Sequence, residues 1–354
     1  MTTFSETAFL LLESFVKVAV VLLVLLTAVA YITWLERKVV AHIQSRWGPS
    51  RVGPHGLLQP MADGIKFLFK EDIMPLEADR FIYLLAPFLA FSLAFLSFAV
   101  IPFGGSFKIG SHTVLLQITN LDVGLLFIFA VTSLGVYSIA LAGWSSNSKY
   151  PLFGGLRSSA QMISYELSLG LAVIGVLMIA GTLSLRDIVL LQQGTWHPNG
   201  IQTFLPRWNI FVQPLGFLVY FTAAIAETNR VPFDLPEGET ELVAGFHTEY
   251  SSLKFAMFFM AEYANMITVS CVATLLFFGG WLGPTFGPAW LQVILPVFWF
   301  GAKVFLFLFF YIWMRGTLPR FRYDQLMALG WKVLLPLGFL NILATGLAIT
   351  CWTS

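Results

Sequence analysis

Long apolar runs separated by short polar connections dominate the chain. A helix that crosses the hydrocarbon core of a bilayer needs about 20 mostly apolar residues, with a range of roughly 17–25. Eight segments come near this length: 10–34, 81–103, 121–144, 161–183, 210–226, 253–282, 291–314 and 331–351. The pattern predicts an all-α polytopic membrane protein with eight transmembrane helices, in which residues 1–354 form a single integral membrane domain.

The first apolar segment carries two charges at helical spacing. Glu13 and Lys17 stand one turn apart in the order that favours an ion pair, so we expect them to pair near a membrane surface. No short apolar stretch followed by a small-residue cleavage site precedes this segment, and we therefore expect it to be retained rather than removed as a signal peptide. Eight spans would place both termini on the same side of the membrane.

The connections differ sharply in their content of Lys and Arg, which sets the orientation of a membrane protein. Those after the odd-numbered spans contain Arg37, Lys38, Arg46, Arg51, Lys66, Lys70, Lys149, Arg157, Arg230, Arg315, Arg320 and Arg322. Those on the other face contain only Lys108, Arg186 and Arg207. The bias predicts that the odd-numbered connections, including loops 35–80 and 227–252, face the cytoplasm or a mitochondrial matrix, and that both termini face the opposite side.

The first connection contains a further apolar periodicity. Over residues 56–69, Leu57, Leu58, Met61, Ile65, Leu68 and Phe69 recur at helical spacing, with Gln59, Asp63 and Lys66 on another side. Fourteen residues are too few to span a bilayer. The pattern predicts an amphipathic helix that lies in the interface or packs against the bundle, after a turn rich in Gly and Pro.

Composition supports a membrane location and excludes several classes of function. The chain is 57% hydrophobic and 11% charged, with a mean hydropathy of +0.79, whereas a soluble domain carries roughly 25% charged residues. The net charge of +1 offers no basic field for nucleic acid. The two cysteines, Cys271 and Cys351, lie in apolar runs without a CxxC partner, which excludes a cysteine-ligated zinc or iron-sulfur centre. The histidine placement argues against a haem, and no P-loop, GxSxG or HExxH motif is present.

Three charged residues stand out within predicted spans, where an ionised side chain costs about 3 kcal/mol on the insertion scale. They are Glu166, Glu262 and Lys303. The alternative to a functional role is an interfacial side chain or an internal ion pair. Glu262 is the strongest candidate for proton exchange, because it lies ten residues into its span, with Tyr263 and Asn265 as possible hydrogen-bond partners.

The connection 227–250 is strongly acidic. It holds Glu227, Asp234, Glu237, Glu239, Glu241 and Glu249 against Arg230 alone, a net charge of −5. An acidic loop is usually a solvated surface. Here apolar residues are interleaved with the acids and two prolines restrict the backbone. This composition favours a loop that folds into the protein, where crowded carboxylates titrate as a coupled set.

Two segments carry a resemblance to a known family. WLERKVVAHIQSRWGPSRVGPHGLLQPMADGIKFLFKED (34–72) and AETNRVPFDLPEGETELVAGFHTEYS (226–251) resemble the signature segments of the H subunits of NADH-quinone oxidoreductase, the bacterial form of respiratory complex I. The number and order of the spans fit this family along essentially the whole chain.

The resemblance implies a membrane subunit of a proton-pumping translocase in the bacterial inner membrane, with both termini in the periplasm. Subunits of this kind form part of the quinone chamber where the membrane and peripheral arms meet, and are not catalytic alone. The implied partners are the other complex I subunits, membrane quinone and lipids. FMN and iron-sulfur clusters are held by partner subunits, and none is bound by this chain.

The resemblance also assigns roles to individual positions. Charged residues near the quinone entrance correspond to Glu36, Arg37, Arg46 and Asp63. The acidic path that leads away from the quinone corresponds to Glu227, Glu239, Glu241 and Glu262, and Glu166 is expected to join it. The identification of quinone rests on the resemblance.

Two other functions remain open at this point. One is the membrane subunit of an energy-converting hydrogenase, which has the same core but no quinone. The other is a stand-alone ion-coupled transporter, although its frequent mid-span Gly or Pro breaks in both halves are not found here. Co-purification with iron-sulfur subunits would distinguish the transporter, and a quinone photo-crosslink would distinguish the hydrogenase.

Overall fold

The computed structural model describes residues 4–109, 112–195, 206–234 and 243–353. This part of the chain is mostly helical. The longer helices are α1 (Phe4–Ile43), α2 (Gln59–Phe69), α3 (Arg80–Leu96), α4 (Gly124–Ser145), α5 (Lys149–Ala180), and, after the short α6 (Leu185–Leu191) and α7 (Asn209–Val212), α8 (Pro214–Glu227), α9 (Ser252–Phe277) and α10 (Ala289–Thr317). The chain ends with α11 (Tyr323–Ala328), a π-helical turn (Leu329–Leu334) and α12 (Leu335–Thr353).

Seven of the described helical segments are long and apolar enough to cross a membrane. The predicted span 210–226 is instead divided between α7 and the 14-residue α8. Pro214 explains the division, because proline lacks the N–H that would continue α7 and is well suited to the first turn of a new helix. The coarse prediction of a polytopic helical membrane protein is confirmed.

Two helices extend well beyond the apolar runs that predicted them. Helix α1 continues to Ile43, nine residues past the predicted end at 34, and α5 begins at Lys149 rather than near 161. The end of an apolar run is therefore not the end of the helix in either case. The more polar residues of 35–43 and 149–160 continue the helix because nothing in them must stop it. The extension makes Glu36 and Arg37 helical residues, whereas the sequence placed them in a loop.

Helix α2 begins three residues later than the predicted helix 56–69, after a 3₁₀ turn at Pro54–Gly56. Gly56 has a φ of +78°, and a Cβ at this position would lie 2.2 Å from the carbonyl oxygen of Pro49. The tight approach requires glycine and excludes the residue from a regular helix.

A two-stranded antiparallel ribbon, β1 (Ser106–Ile109) and β2 (His112–Leu115), lies between α3 and α4. The all-α prediction missed it, because four-residue strands are too short to stand out from their apolar surroundings.

Helix α9 lies at the centre of the bundle, and α1 lies at its edge. In the most apolar window of each helix, 67% of α9 is buried within the chain, against 17% of α1. Helix α9 packs against α3 and α10, while α5 packs against α4, α8 and α12. Helices α4 and α5 approach closely at Gly143 and Gly155, where a Cβ on Gly155 would lie 3.2 Å from the Cα of Gly143. The central position of α9 puts Glu262 in the interior of the protein.

Candidate functional site

A cavity of about 970 Å³ lies between the C-terminal half of α1, α2 and the first part of α9. Its apolar wall includes Leu26, Val29, Phe67, Phe255, Phe259 and Met260. Its charged lining consists of three arginines and two carboxylates, namely Arg37, Arg46, Arg315, Glu36 and Asp63. The four entrance residues expected from sequence are thus brought together around one space, and the charged side of that space carries a net positive charge.

The mouth of the large cavity is bounded by an ion pair between α1 and α2. Arg37 donates to Asp63 at 2.6 Å, and Gln59 also donates to this carboxylate at 3.1 Å. The Arg37 side chain is 54% exposed, so the pair lies at the protein surface. Arg46 lies beside it and donates to the Gln44 side chain at 2.7 Å. The Arg37–Asp63 pair joins α2 to the last part of α1.

Glu36 lies at the inner end of the cavity and is only 5% exposed. One carboxylate oxygen, Oε2, accepts a hydrogen bond of 2.8 Å from the Tyr263 hydroxyl. The other, Oε1, accepts from Arg315 and lies 3.5 Å from Nη1 of Arg230. Two guanidinium groups and a phenol therefore compensate the burial of this carboxylate.

Arg230 continues the chain of charges toward the bundle interior. Its Nε lies 2.7 Å from Oε1 of Glu262, and its guanidinium carbon lies 4.3 Å from the centre of the Tyr263 ring. Arg230 comes from the segment after α8, whereas Glu262 and Tyr263 come from α9. The order of groups leading inward from the large cavity is Arg315, Glu36, Arg230 and Glu262.

A second, smaller cavity of about 60 Å³ begins where this chain of charges ends. Glu227, His247 and Glu262 are the titratable residues of its lining. The rest of the wall combines apolar residues with polar side chains, which include Thr132, Ser138, Asn229 and Asn265. A water molecule needs roughly 10–15 Å³ of such space and two to four polar partners, so the small cavity has room for a few waters between these groups.

Glu166 lies close to the small cavity, on α5. It accepts a hydrogen bond from the Ser133 hydroxyl, and Ser133 adjoins the cavity residue Thr132 on α4. The carboxylates of Glu166 and Glu227 are near enough for their charges to interact. The structure thus brings together Glu166, Glu227 and Glu262 of the predicted acidic path. Glu239 and Glu241, with Glu237, lie outside the described residues.

Lys303, the third charged residue singled out within the predicted spans, connects parts of the fold. The Lys303 ammonium donates to three backbone carbonyls that follow α9, those of Phe278, Gly280 and Leu282, at 2.7–2.9 Å. It also lies 4.6 Å from the centre of the Trp208 ring. Lys303 therefore ties the end of α9 to α10 and lies apart from the two cavities.

The described ends of the acidic connection are folded into the protein. Asp234 is 8% exposed and lies 3.2 Å from Arg320, while Gln161 donates to the carbonyls of Ala226 and Phe233. At the other end, Tyr250 stacks on Tyr83 with the ring centres 4.2 Å apart. Burial raises the pKa of Tyr250 to about 12.

His247 lies in this second end, in the 3₁₀ turn Gly245–His247, and is 6% exposed. Its Nδ1 lies 3.0 Å from the carbonyl oxygen of Ala244, which can only accept, so Nδ1 carries the proton. Burial among aromatic rings lowers the pKa of His247 to about 4, and the imidazole is neutral at pH 7.

Sequence reasoning missed three members of the charge network. Arg230 was counted only as the single cation of an acidic loop, Arg315 only as one of many basic loop residues, and Tyr263 as a partner for Glu262, whereas its hydroxyl binds Glu36. An isolated arginine among buried carboxylates is itself a signal, because buried charges are paired. The partners could not be read from the sequence, since Glu36 is 194 residues from Arg230 and 279 from Arg315.

A bundle of apolar helices around a buried network of alternating acids and arginines defines a multi-pass membrane protein with a charged interior. Residues 16–346 match the family model described as NADH dehydrogenase. The chain belongs to the family of H subunits of NADH-quinone oxidoreductase, and so to the membrane subunits of complex I.

Several curated proteins are similar over nearly the full length. The chain is 59% identical to the second of the NADH-quinone oxidoreductase H subunits of Koribacter versatilis, over 97% of this chain and 98% of the relative. It is 55% identical to the second H subunit of Geobacter metallireducens, over 94% of each chain. Identity to the first H subunit of Solibacter usitatus is 51%, over 96% of this chain and 97% of the relative.

Proposed function

We propose that the large cavity admits a membrane quinone and that the charge network links its reduction to proton translocation. This proposal rests mainly on the series of ion-paired groups from Glu36 through Arg230 to Glu262, which joins a large, mostly apolar cavity to a small one with two glutamates in its lining. The large cavity is at the upper end of the roughly 300–1,000 Å³ typical of ligand sites. Its apolar wall suits an isoprenoid tail, and its arginines suit a headgroup that gains negative charge.

In this proposal, α2 forms one side of a lateral opening to the lipid. None of its residues is buried within the chain, and Met61, Ile65 and Leu68 are exposed, as expected of a helix in the membrane interface. The Arg37–Asp63 pair lies at the rim, where it can orient a headgroup while the tail stays in lipid.

The small cavity supplies the proton-responsive part. A negative charge on partly reduced quinone acts over a short distance in a medium of low dielectric constant, where Coulomb interactions are strong. Glu262, Glu227 and Glu166 respond by binding or releasing protons, and Glu239 and Glu241 join them in the loop. The charge change then passes toward the next membrane subunit.

The remaining features of the proposal concern the assembled enzyme. The chain sits in a bacterial inner membrane with loops 35–80 and 227–252 in the cytoplasm, in accordance with the Lys and Arg bias. Eight helices cross the membrane if α8 spans with α7. Electrons arrive through FMN and iron-sulfur clusters of partner subunits, and the chain alone oxidises no NADH. The relatives are named as subunits of an NADH-quinone oxidoreductase, which favours this function over a hydrogenase or a transporter.

Substituting Asp63→Asn tests the entrance. The change removes the charge that holds Arg37 at 2.6 Å, and we expect the apparent KM for quinone to rise several-fold in the assembled enzyme. Reduction of ferricyanide by NADH, which draws electrons upstream of the quinone, should be unchanged. The matched control is Asp324→Asn, since Asp324 also pairs with an arginine but is 70% exposed and lies away from the large cavity. Equal loss of both activities in a normally assembled Asp63→Asn complex would contradict the role.

A further inference from the structure

Arg230 occupies the boundary between the two cavities. Glu36 lines the large cavity and Glu262 lines the small one, and the Arg230 guanidinium lies against both carboxylates. Within the described residues, this guanidinium therefore gives a direct charged connection from one cavity to the other.

Arg230 lies at unequal distances from the two carboxylates. Its Nε lies 2.7 Å from Glu262, whereas its Nη1 lies 3.5 Å from Glu36. The same oxygen of Glu36 also accepts from Arg315, so Glu36 retains a cationic partner when Arg230 moves. Movement of Arg230 toward the large cavity lengthens its contact with Glu262, which is the shorter of these two distances. Such a movement therefore changes the charge environment of Glu262 more than that of Glu36.

The surroundings of Arg230 allow such a movement to respond to charge. Its side chain is 7% exposed, so water screens it little. The face of the Tyr263 ring lies 4.3 Å from its guanidinium carbon and offers a surface along which a planar cation can slide. The Tyr263 hydroxyl is bonded to Glu36, which holds the ring in place on the large-cavity side.

We propose that Arg230 is a charge-responsive gate between the two cavities. Negative charge in the large cavity draws the guanidinium toward Glu36 and away from Glu262, and Glu262 then takes up a proton from bulk solvent, relayed through waters in the small cavity. When the negative charge is lost, Arg230 returns and Glu262 releases that proton. Arg230 is a positioning residue in this scheme, because it exchanges no proton itself. The inference rests on the proposed function of the two cavities.

The test compares Arg230→Gln, Arg230→Lys and Glu262→Gln in the whole complex reconstituted into vesicles. Arg230→Gln removes the link between the cavities but leaves every titrating carboxylate in place, so it uncouples the two reactions, whereas Glu262→Gln blocks a proton step. Quinone reduction in Arg230→Gln therefore continues while the ratio of protons pumped to electrons transferred falls, because Glu262 no longer senses the large cavity. The expected result is loss of most of the proton pumping with retention of quinone reduction. Arg230→Lys keeps the charge needed for folding but cannot span both carboxylates, so its ratio should fall partway. Arg322→Gln is the control, since this arginine is 81% exposed.

Infrared difference spectra test the gate directly, because a purely structural role of Arg230 would leave them unchanged. In the unmodified complex, quinone reduction should produce a carboxylic acid band that Glu262→Gln removes. In Arg230→Gln this band should no longer depend on the redox state of the quinone.

The outcomes distinguish failure of the Arg230 gate from failure of the proposed function. The gate is overturned if Glu262→Gln is inactive while Arg230→Gln keeps an unchanged proton-to-electron ratio. If Arg230→Gln fails to assemble, the ratio of Arg230→Lys decides instead. A parallel loss of turnover and pumping in the Arg230 variants also overturns it, since that result describes a structural ion pair. Normal turnover and a normal ratio in Glu262→Gln would instead refute the proposed function itself.

Discussion

At the scale of single residues, the charges of the network are balanced. Glu36 and Glu262 face Arg230 and Arg315, so two carboxylates are compensated by two guanidinium groups. Removing one partner of a buried pair costs roughly 3–5 kcal/mol, because the remaining charge is left uncompensated. A replacement that keeps hydrogen bonding, such as Gln for Glu, therefore tests titration with less damage to the fold than Ala.

The neutral state of His247 makes the stability of its turn depend on pH. Its pKa is about 4 in the fold against an ordinary value of 6.5, so below pH 6.5 the unfolded turn binds a proton that the folded turn does not. The stability is fully present above pH 6.5 and is lost as pH falls toward 4, by about 3 kcal/mol in total. Between pH 7.5 and 5.5 the amide-exchange protection of residues 243–250 should fall by about tenfold.

Hydrogen exchange on the solubilised complex at these two pH values measures the effect of His247. The variant His247→Asn removes the titration while its amide can still donate to the Ala244 carbonyl, and its protection should vary little with pH. His42→Gln is the control, since His42 is exposed on α1. The same pH dependence in His247→Asn would show that another group is responsible.

At the scale of elements, the turn that carries His247 is positioned by a close contact with α5. A Cβ on Gly154 would lie 2.8 Å from backbone atoms of Gly245 and Phe246, and backbone cannot yield as a side chain can. Gly154→Ala should therefore lower the free energy of unfolding by about 1–3 kcal/mol through overpacking. Gly170→Ala on the same helix is the matched control, because its Cβ would meet no atom of the chain within 4 Å. The thermal midpoint of the solubilised complex measures both, and equal midpoints would contradict the contact.

The apolar pattern predicted the elements better than it predicted their ends. Burial in lipid requires long apolar runs, so the positions of most spans could be read from the sequence. The continuation of α1 to Ile43 is polar, so the apolar pattern does not include it. The apolar pattern also runs unbroken across Pro214, where the helix divides. These two differences are local, yet the first one decides that Glu36 points from a helix into a cavity.

The acidic residues of the candidate site could be predicted from the sequence, but the ion pairs that they form could not. Glu262 stood out because a carboxylate within a span is costly, and Glu36 and Asp63 were indicated by resemblance. Their arginine and tyrosine partners come from distant parts of the chain, and only the packing of α1, α9 and α10 brings them together. Lys303 had the same sequence signal as Glu262, but its three carbonyl partners give it a structural role.

At the scale of the whole molecule, the helices hold two cavities at a fixed separation in the bundle. The large cavity lies at the edge, beside the exposed helices α1 and α2, and the small one lies among α3, α4, α5 and α9. In the proposed function, a hydrophobic substrate reaches the first cavity from lipid, while the second lies among the inner helices of the bundle. The network between them has its last carboxylate at Glu262, and this residue is common to the ion-pair chain and the small cavity.

The most direct test of the account is the proton-to-electron ratio of the Glu262→Gln complex, measured in vesicles together with quinone-linked turnover. Glutamine keeps the shape of the side chain and removes its titration. We expect the complex to assemble and to keep its ferricyanide activity, while turnover and pumping fall together, because a blocked proton step holds back the electrons of a tightly coupled enzyme. A Glu262→Gln complex with normal turnover and a normal ratio would show that Glu262 is a structural residue and that the route through the small cavity is wrong.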